Sequence, residues 1–145
     1  MKRRLLLFIN LILLVITPIA LTSGIMLEVA HGEGLGYMSN MLLTGWHIGL
    51  CVAMMLLVVC HLWLNWGNVA QWWGRWWKHR SLWLKALYVC YLICALMGVM
   101  ATIQWLKHGH TGLGGWHGKV GFAVALLVVI HLVQRLSWYG KQMRR

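Results

Sequence analysis

The chain has 145 residues, of which 61% are hydrophobic and only 10% charged, and its 13 Lys+Arg against 2 Asp+Glu give a formal charge of +11. A soluble globular domain carries a charged share nearer a quarter, and a disordered basic tail lacks this much apolar surface. A basic protein is ordinarily suspected of binding nucleic acid, but here the basic residues lie between apolar runs long enough to span a bilayer. The composition therefore indicates an integral membrane protein, and no nucleic-acid partner is expected.

The first apolar run covers about 5–27, behind Lys2, Arg3 and Arg4. A basic start followed by an apolar stretch resembles a signal peptide. The run is long and no A-x-A site follows it, so it is expected to be retained as a first transmembrane helix. Pro18 is expected to bend it, which lipid-buried helices tolerate. The second run is about 44–66, the third 82–106 and the fourth 116–138. Barrel strands would be shorter and alternating. The predicted fold is an all-α membrane protein, a bundle of four transmembrane helices forming one domain over residues 1–145. The longest loop is too short to hold a flavin, nicotinamide or peptidase domain.

Orientation follows from the basic residues. Lys2, Arg3, Arg4, Arg75, Lys78, Arg80, Lys85, Arg135, Lys141, Arg144 and Arg145 fall on one side, and Lys107 and Lys119 on the other. Eleven against two predicts cytoplasmic N- and C-termini. Both acids, Glu28 and Glu33, then lie on the outer side. Trp63, Trp66, Trp72, Trp73, Trp76, Trp77, Trp83 and Trp138 gather at the inner boundary, and Trp46, Trp105 and Trp116 at the outer one, as amphipathic rings do. The segment Gln71–Arg80 reads as an interfacial connector.

Residues 45–62 and 115–132 align at an offset of 70. GWHIGLCVAMMLLVVCHL lies over GWHGKVGFAVALLVVIHL, with ten of 18 positions identical. Leu and Val matches are cheap in apolar helices. The shared Gly-Trp-His start (Gly45/Gly115, Trp46/Trp116, His47/His117) and the second shared histidine (His61/His131) are not. The expectation is a duplicated helix pair. Each repeat carries two histidines fourteen residues apart, which is close to four full turns and a rise of about 21 Å. Both histidines of a pair thus share one helix face. The second and fourth helices run in the same direction, so His47 can face His117 and His61 can face His131.

Ionisable side chains within the bilayer are costly and normally point at something that satisfies them. Opposed imidazoles are what six-coordinate haem iron requires on its two axial sides, and a haem plate fills a helical core. A single such histidine is more often just hydrogen-bonded in a core; four in two equal pairs favour haem. Zinc or copper is disfavoured because no Cys, Asp or Glu lies close by to complete a tetrahedral shell. Cys60 adjoins His61 but faces about 100° away.

With these residues in view, GWHIGLC…CHLWLNW and GWHGKVG…HL resemble the bacterial four-helix di-haem cytochrome b proteins, including short cytochrome b subunits. The fourteen-residue spacing on the second and fourth helices is similar to that of the cytochrome b of quinol–cytochrome c oxidoreductases. The resemblance covers nearly the whole chain. It implies two b haems, His47 and His117 holding the outer and His61 and His131 the inner, with electrons passing between quinone and a redox partner. It also implies glycines on the first and third helices where backbone nears the haem. Gly24 and Gly98 fit at the outer level. At the inner level the pattern is broken by Asn10 and Leu84. Gly45 and Gly115 also read as helix-start residues.

Arg135 and Lys85 are candidates to pair with inner haem propionates, and Lys107, Lys119, His108 and His110 with outer ones; snorkelling to lipid headgroups explains them equally well. Asn65 is a weaker candidate. Cys51, Cys60, Cys90 and Cys94 read as small packing residues, and the lack of a CxxCH motif speaks against covalent haem attachment. His31, Glu33, His108 and His110 could relay protons during quinol oxidation or could be ordinary solvated loop residues.

The expected function is electron transfer from menaquinol or ubiquinol through two b haems to an extracytoplasmic redox protein or multihaem cytochrome, in a homo- or hetero-oligomer or alone. The sequence reads as a subunit more than as a complete enzyme. Two alternatives stay open: a stand-alone oxidoreductase, such as a superoxide:quinone oxidoreductase or ferric reductase, and a non-redox transport or assembly protein with core histidines.

Overall fold

The computed structural model describes residues 2–32, 37–74, 82–109 and 112–143. Every regular element among them is an α-helix: α1 (Lys2–Gly32), α2 (Tyr37–Leu64), α3 (Trp66–Gly74), α4 (Leu82–His108) and α5 (Gly114–Met143). Four of these are long and apolar enough to cross a membrane, over Arg4–Ala30, Met41–Leu64, Leu82–His108 and Gly114–Arg135. The predicted all-α class and the four spans are therefore present. The helices run past the apolar limits read from the sequence because nothing in the flanking polar residues forbids helix.

The chain falls into two compact units, Met1–His79 and Arg80–Arg145. In the first, α1 packs along α2, and α3 follows α2; in the second, α4 packs along α5. Between lipid-facing helices there is little hydrophobic drive to associate, so close approach of small side chains supplies the packing. Accordingly the buried positions include Ala20 and Ala30 of α1 and Ala101 of α4, and among the described residues no large side chain is fully buried. Large apolar side chains face outward instead: Leu42 and Leu96 are each 66% exposed and Leu106 is 70% exposed. A soluble protein would not carry so much apolar surface contiguously.

The second span ends at Leu64 rather than at the expected residue 66. Asn65 causes the break. Its backbone N–H still donates to the His61 carbonyl at 3.1 Å, and its side-chain Nδ2 donates to that same oxygen at 3.0 Å. Its own carbonyl then accepts from Asn68 N–H at 2.8 Å and Val69 N–H at 3.0 Å, which starts α3. One residue thus closes α2 and opens α3, as asparagine does at helix ends. The first part of the expected connector is helical; residues 75–80 lie outside the described residues. Asn65→Ala is expected to cost about 0.5–1.5 kcal/mol, the worth of one such hydrogen bond, read as a lower unfolding midpoint in detergent.

At the far end of α4, Gly109 has φ 72° and donates its N–H to Trp105 O at 2.8 Å. This left-handed cap suits glycine and turns the chain after the span. Inside α1, Pro18 has no N–H to offer the preceding turn. The Thr22 hydroxyl donates to the Pro18 carbonyl and the Ser23 hydroxyl donates to the Ala20 carbonyl at 2.8 Å.

Candidate haem-ligand histidines

His47 lies in α2 and is half-buried against α1. Its Nδ1 is 2.9 Å from Ser23 Oγ. Serine has a single O–H, and that hydrogen is committed to the Ala20 carbonyl. The serine oxygen must then accept, so Nδ1–H of His47 is the donor. A neutral imidazole protonated at Nδ1 carries its lone pair on Nε2. Cys51, one turn along α2, places its Sγ 3.6 Å from that Nε2, so a cysteine does lie beside this ring, contrary to the expectation that none would.

The second unit solves the same problem with fewer parts. His117 lies near the start of α5, and its Nδ1 is 3.1 Å from the Cys94 carbonyl oxygen of α4. A carbonyl can only accept, so His117 is also the Nδ1–H tautomer with its lone pair on Nε2. Cys94 stands four residues before Gly98, as Ala20 stands four before Gly24. In the first unit Ser23 carries the hydrogen bond on to the Ala20 carbonyl. In the second, Met97 occupies the position next to the glycine, and the imidazole reaches the backbone oxygen directly. The Cys94 thiol sits 3.7 Å from the same ring nitrogen.

The glycines expected on the first and third helices are matched to these rings. A Cβ on Gly24 would lie 3.0 Å from His47 Cε1, and one on Gly98 would lie 3.0 Å from His117 Cε1. Carbon atoms pack best at about 3.5–4.0 Å, so each imidazole occupies space that only glycine leaves. No Cβ contact within 4 Å awaits at Gly45 or Gly115, so nothing against those two glycines requires them for close packing.

His61 lies in the last turn of α2. Its Nδ1 is 2.6 Å from Asn10 Oδ1 of α1. The amide oxygen accepts, so His61 too is protonated at Nδ1. Asn10 is 7% exposed and is the buried polar side chain among the described residues. A polar group in that setting needs a partner, and His61 supplies it. His131 is half-buried in α5, fourteen residues after His117.

The candidate propionate partners lie near the ends of the apolar spans. Lys85 is half-buried in the first turn of α4, and Arg135 is exposed one turn beyond His131. Lys107 and His108 close α4. The Lys119 ammonium stands 4.7 Å from the Trp116 ring centroid, a cation–π contact. Asn65 is engaged with the His61 carbonyl. His31 ends α1, but its side chain, like Glu33 and His110, lies outside the described residues. Cys60 is exposed, whereas Cys51, Cys90 and Cys94 are partly buried, and none of the four is in a disulfide.

Sequence reading missed the groups that hold the rings. Ser23 and Asn10 are polar residues inside an apolar run, a signal that could have marked both. The Cys94 carbonyl left no trace in the sequence. Among the described residues no three His, Cys, Asp or Glu side chains converge as a metal-binding cluster. In comparisons with family models, with curated proteins and with solved structures, the chain finds no match.

Proposed function

We propose that the chain is a transmembrane electron-transfer cytochrome b, with His47 and His117 as axial ligands of one b haem and His61 and His131 of a second. The observation that carries this reading is the hydrogen-bond geometry at Nδ1. In three of the four candidate histidines Nδ1 lies within hydrogen-bond distance of an oxygen, which assigns Nδ1–H as the donor and the lone pair to Nε2; at His47 that Nε2 also lies 3.6 Å from Cys51 Sγ. Metal-ligating histidines are held in this way, with the outer nitrogen engaged so that the inner one is oriented and more basic. A four-ligand zinc site needs a donor cluster, whereas haem iron asks the protein for only two axial nitrogens. The donor set present fits haem.

A haem held there by His47 and His117, or by His61 and His131, would supply a one-electron ferric/ferrous couple suited to electron transfer. The protein's part is to hold the four imidazoles and to keep water from them. Arg135 and Lys85 are cations suited to carboxylates near one end of the spans. The matching Gly24–His47 and Gly98–His117 contacts support descent from a duplicated helix pair, and with it a four-helix bundle. The eleven-to-two placement of Lys and Arg supports cytoplasmic termini, and the resemblance to bacterial di-haem cytochromes b points to a bacterial inner membrane. Quinol is the proposed electron donor and an extracytoplasmic redox protein, such as a multihaem cytochrome, the acceptor.

The test is a reduced-minus-oxidised spectrum of the purified protein with a pyridine haemochrome assay. Two b haems per chain are expected, with reduction by menaquinol or ubiquinol. A colourless protein after expression with ample haem overturns the reading in favour of a transport or assembly role. Reoxidation or reduction by superoxide, without a partner protein, would instead mark a complete oxidoreductase.

A further inference from the structure

We infer that Asn10 is a positioning residue for His61: its amide oxygen fixes the Nδ1–H tautomer and makes Nε2 of His61 a more basic ligand. The inference rests on the haem reading for its consequence, while the hydrogen bond itself does not. Two observations carry it. The contact is 2.6 Å, shorter than the 2.9 Å and 3.1 Å contacts made by His47 and His117. Asn10 is buried at 7% exposure within the otherwise apolar stretch 5–16 of α1, so its amide is retained at a cost that the hydrogen bond must offset.

The three rings are thus held by different acceptors: a serine hydroxyl on Gly24's helix, a backbone carbonyl on Gly98's helix, and a side-chain amide at His61. A stronger acceptor on Nδ1–H pushes electron density towards Nε2 and favours ferric over ferrous iron. Asn10 therefore gives the haem at His61 a lower reduction potential than an apolar residue would. It also holds the ring of His61 without glycine's close backbone approach.

The experiment compares Asn10→Leu with Asn10→Asp in the full chain, by redox titration and by 15N NMR of labelled histidine. Asn10→Leu is expected to weaken retention of one haem about 10–100-fold, the usual effect of losing such a partner, and to raise the potential of what is retained. Asn10→Asp keeps an acceptor and makes it stronger, so the same haem's potential falls. The affected haem is the one absent in His61→Ala. A mere packing role would move both variants in one direction. Same-direction shifts, equal shifts at both haems, or no shift in either variant overturn the inference. Where Asn10→Leu holds no second haem, Asn10→Asp decides alone: a lowered potential supports the inference and an unchanged one overturns it. The NMR arm separates the two levels. A wild type without haem whose His61 is nevertheless Nδ1-protonated, and loses that signature in Asn10→Leu, refutes the haem reading and leaves the positioning contact standing.

Discussion

His47→Ala and His61→Ala should each reduce the haem content from two per chain to one, and the haem lost should differ between them. The two histidines lie fourteen residues apart on α2, so about 21 Å of helix separates them. No single cofactor site can use both. Each ring is held by its own acceptor on α1, Ser23 for His47 and Asn10 for His61. Loss of one ring therefore leaves the other's hydrogen bond intact. His117→Ala should remove the same haem as His47→Ala, and His131→Ala the same as His61→Ala. The double variant His47→Ala/His117→Ala should still bind one haem, because residues that act as a unit are not additive. Split α-bands or distinct potentials in the reduced-minus-oxidised spectrum identify which haem is missing. Retention of both haems in either single α2 variant would refute the ligand assignment.

The value of removing a ring, rather than its support, lies in the size of the effect. On the proposed reading, a lost histidine would take away a bond to iron, while a lost acceptor such as Ser23 would only loosen the ring's orientation. Ser23 has a further role, since its hydroxyl also engages the Ala20 carbonyl. In α4 the equivalent carbonyl, that of Cys94, is reached by His117 directly. The serine is thus an inserted step rather than an indispensable one.

The four long apolar helices were legible in the sequence from apolar run length. Gly24 and Gly98 were expected to face a haem; the structure sets each against an imidazole ring. The break at Asn65 was not legible, because Trp66 continues the apolar run and only the asparagine's side-chain hydrogen bond decides the boundary. Nor were the acceptors legible. A backbone carbonyl such as that of Cys94 is present at every residue, and its selection depends on helix–helix register. Asn10 was visible only as a missing glycine; its contact with His61 spans 51 residues and needs the packing of α1 on α2.

Gly24→Ala and Gly98→Ala offer the second large effect, and they probe whether the two helix pairs serve a common haem. In each, the new methyl would stand 3.0 Å from an imidazole Cε1. That is closer than the carbon–carbon optimum of about 3.5–4.0 Å, so the ring must shift by several tenths of an ångström. His47 cannot do so without lengthening its 2.9 Å contact to Ser23, which sits beside Gly24 on the same helix. His117 is tied in the same way to Cys94, one turn before Gly98. Displacement of a supported ligand costs about 10–100-fold in metal affinity, and a larger residue such as valine should abolish binding. Both substitutions should therefore weaken the same haem, the one lost in His47→Ala, and spare the one lost in His61→Ala. Gly67→Ala is the control: it lies in α3 with nothing within 4 Å of the added methyl, and it should leave both haems in place. If Gly24→Ala and Gly98→Ala disturb different haems, His47 and His117 do not share an iron, even though each is a ligand.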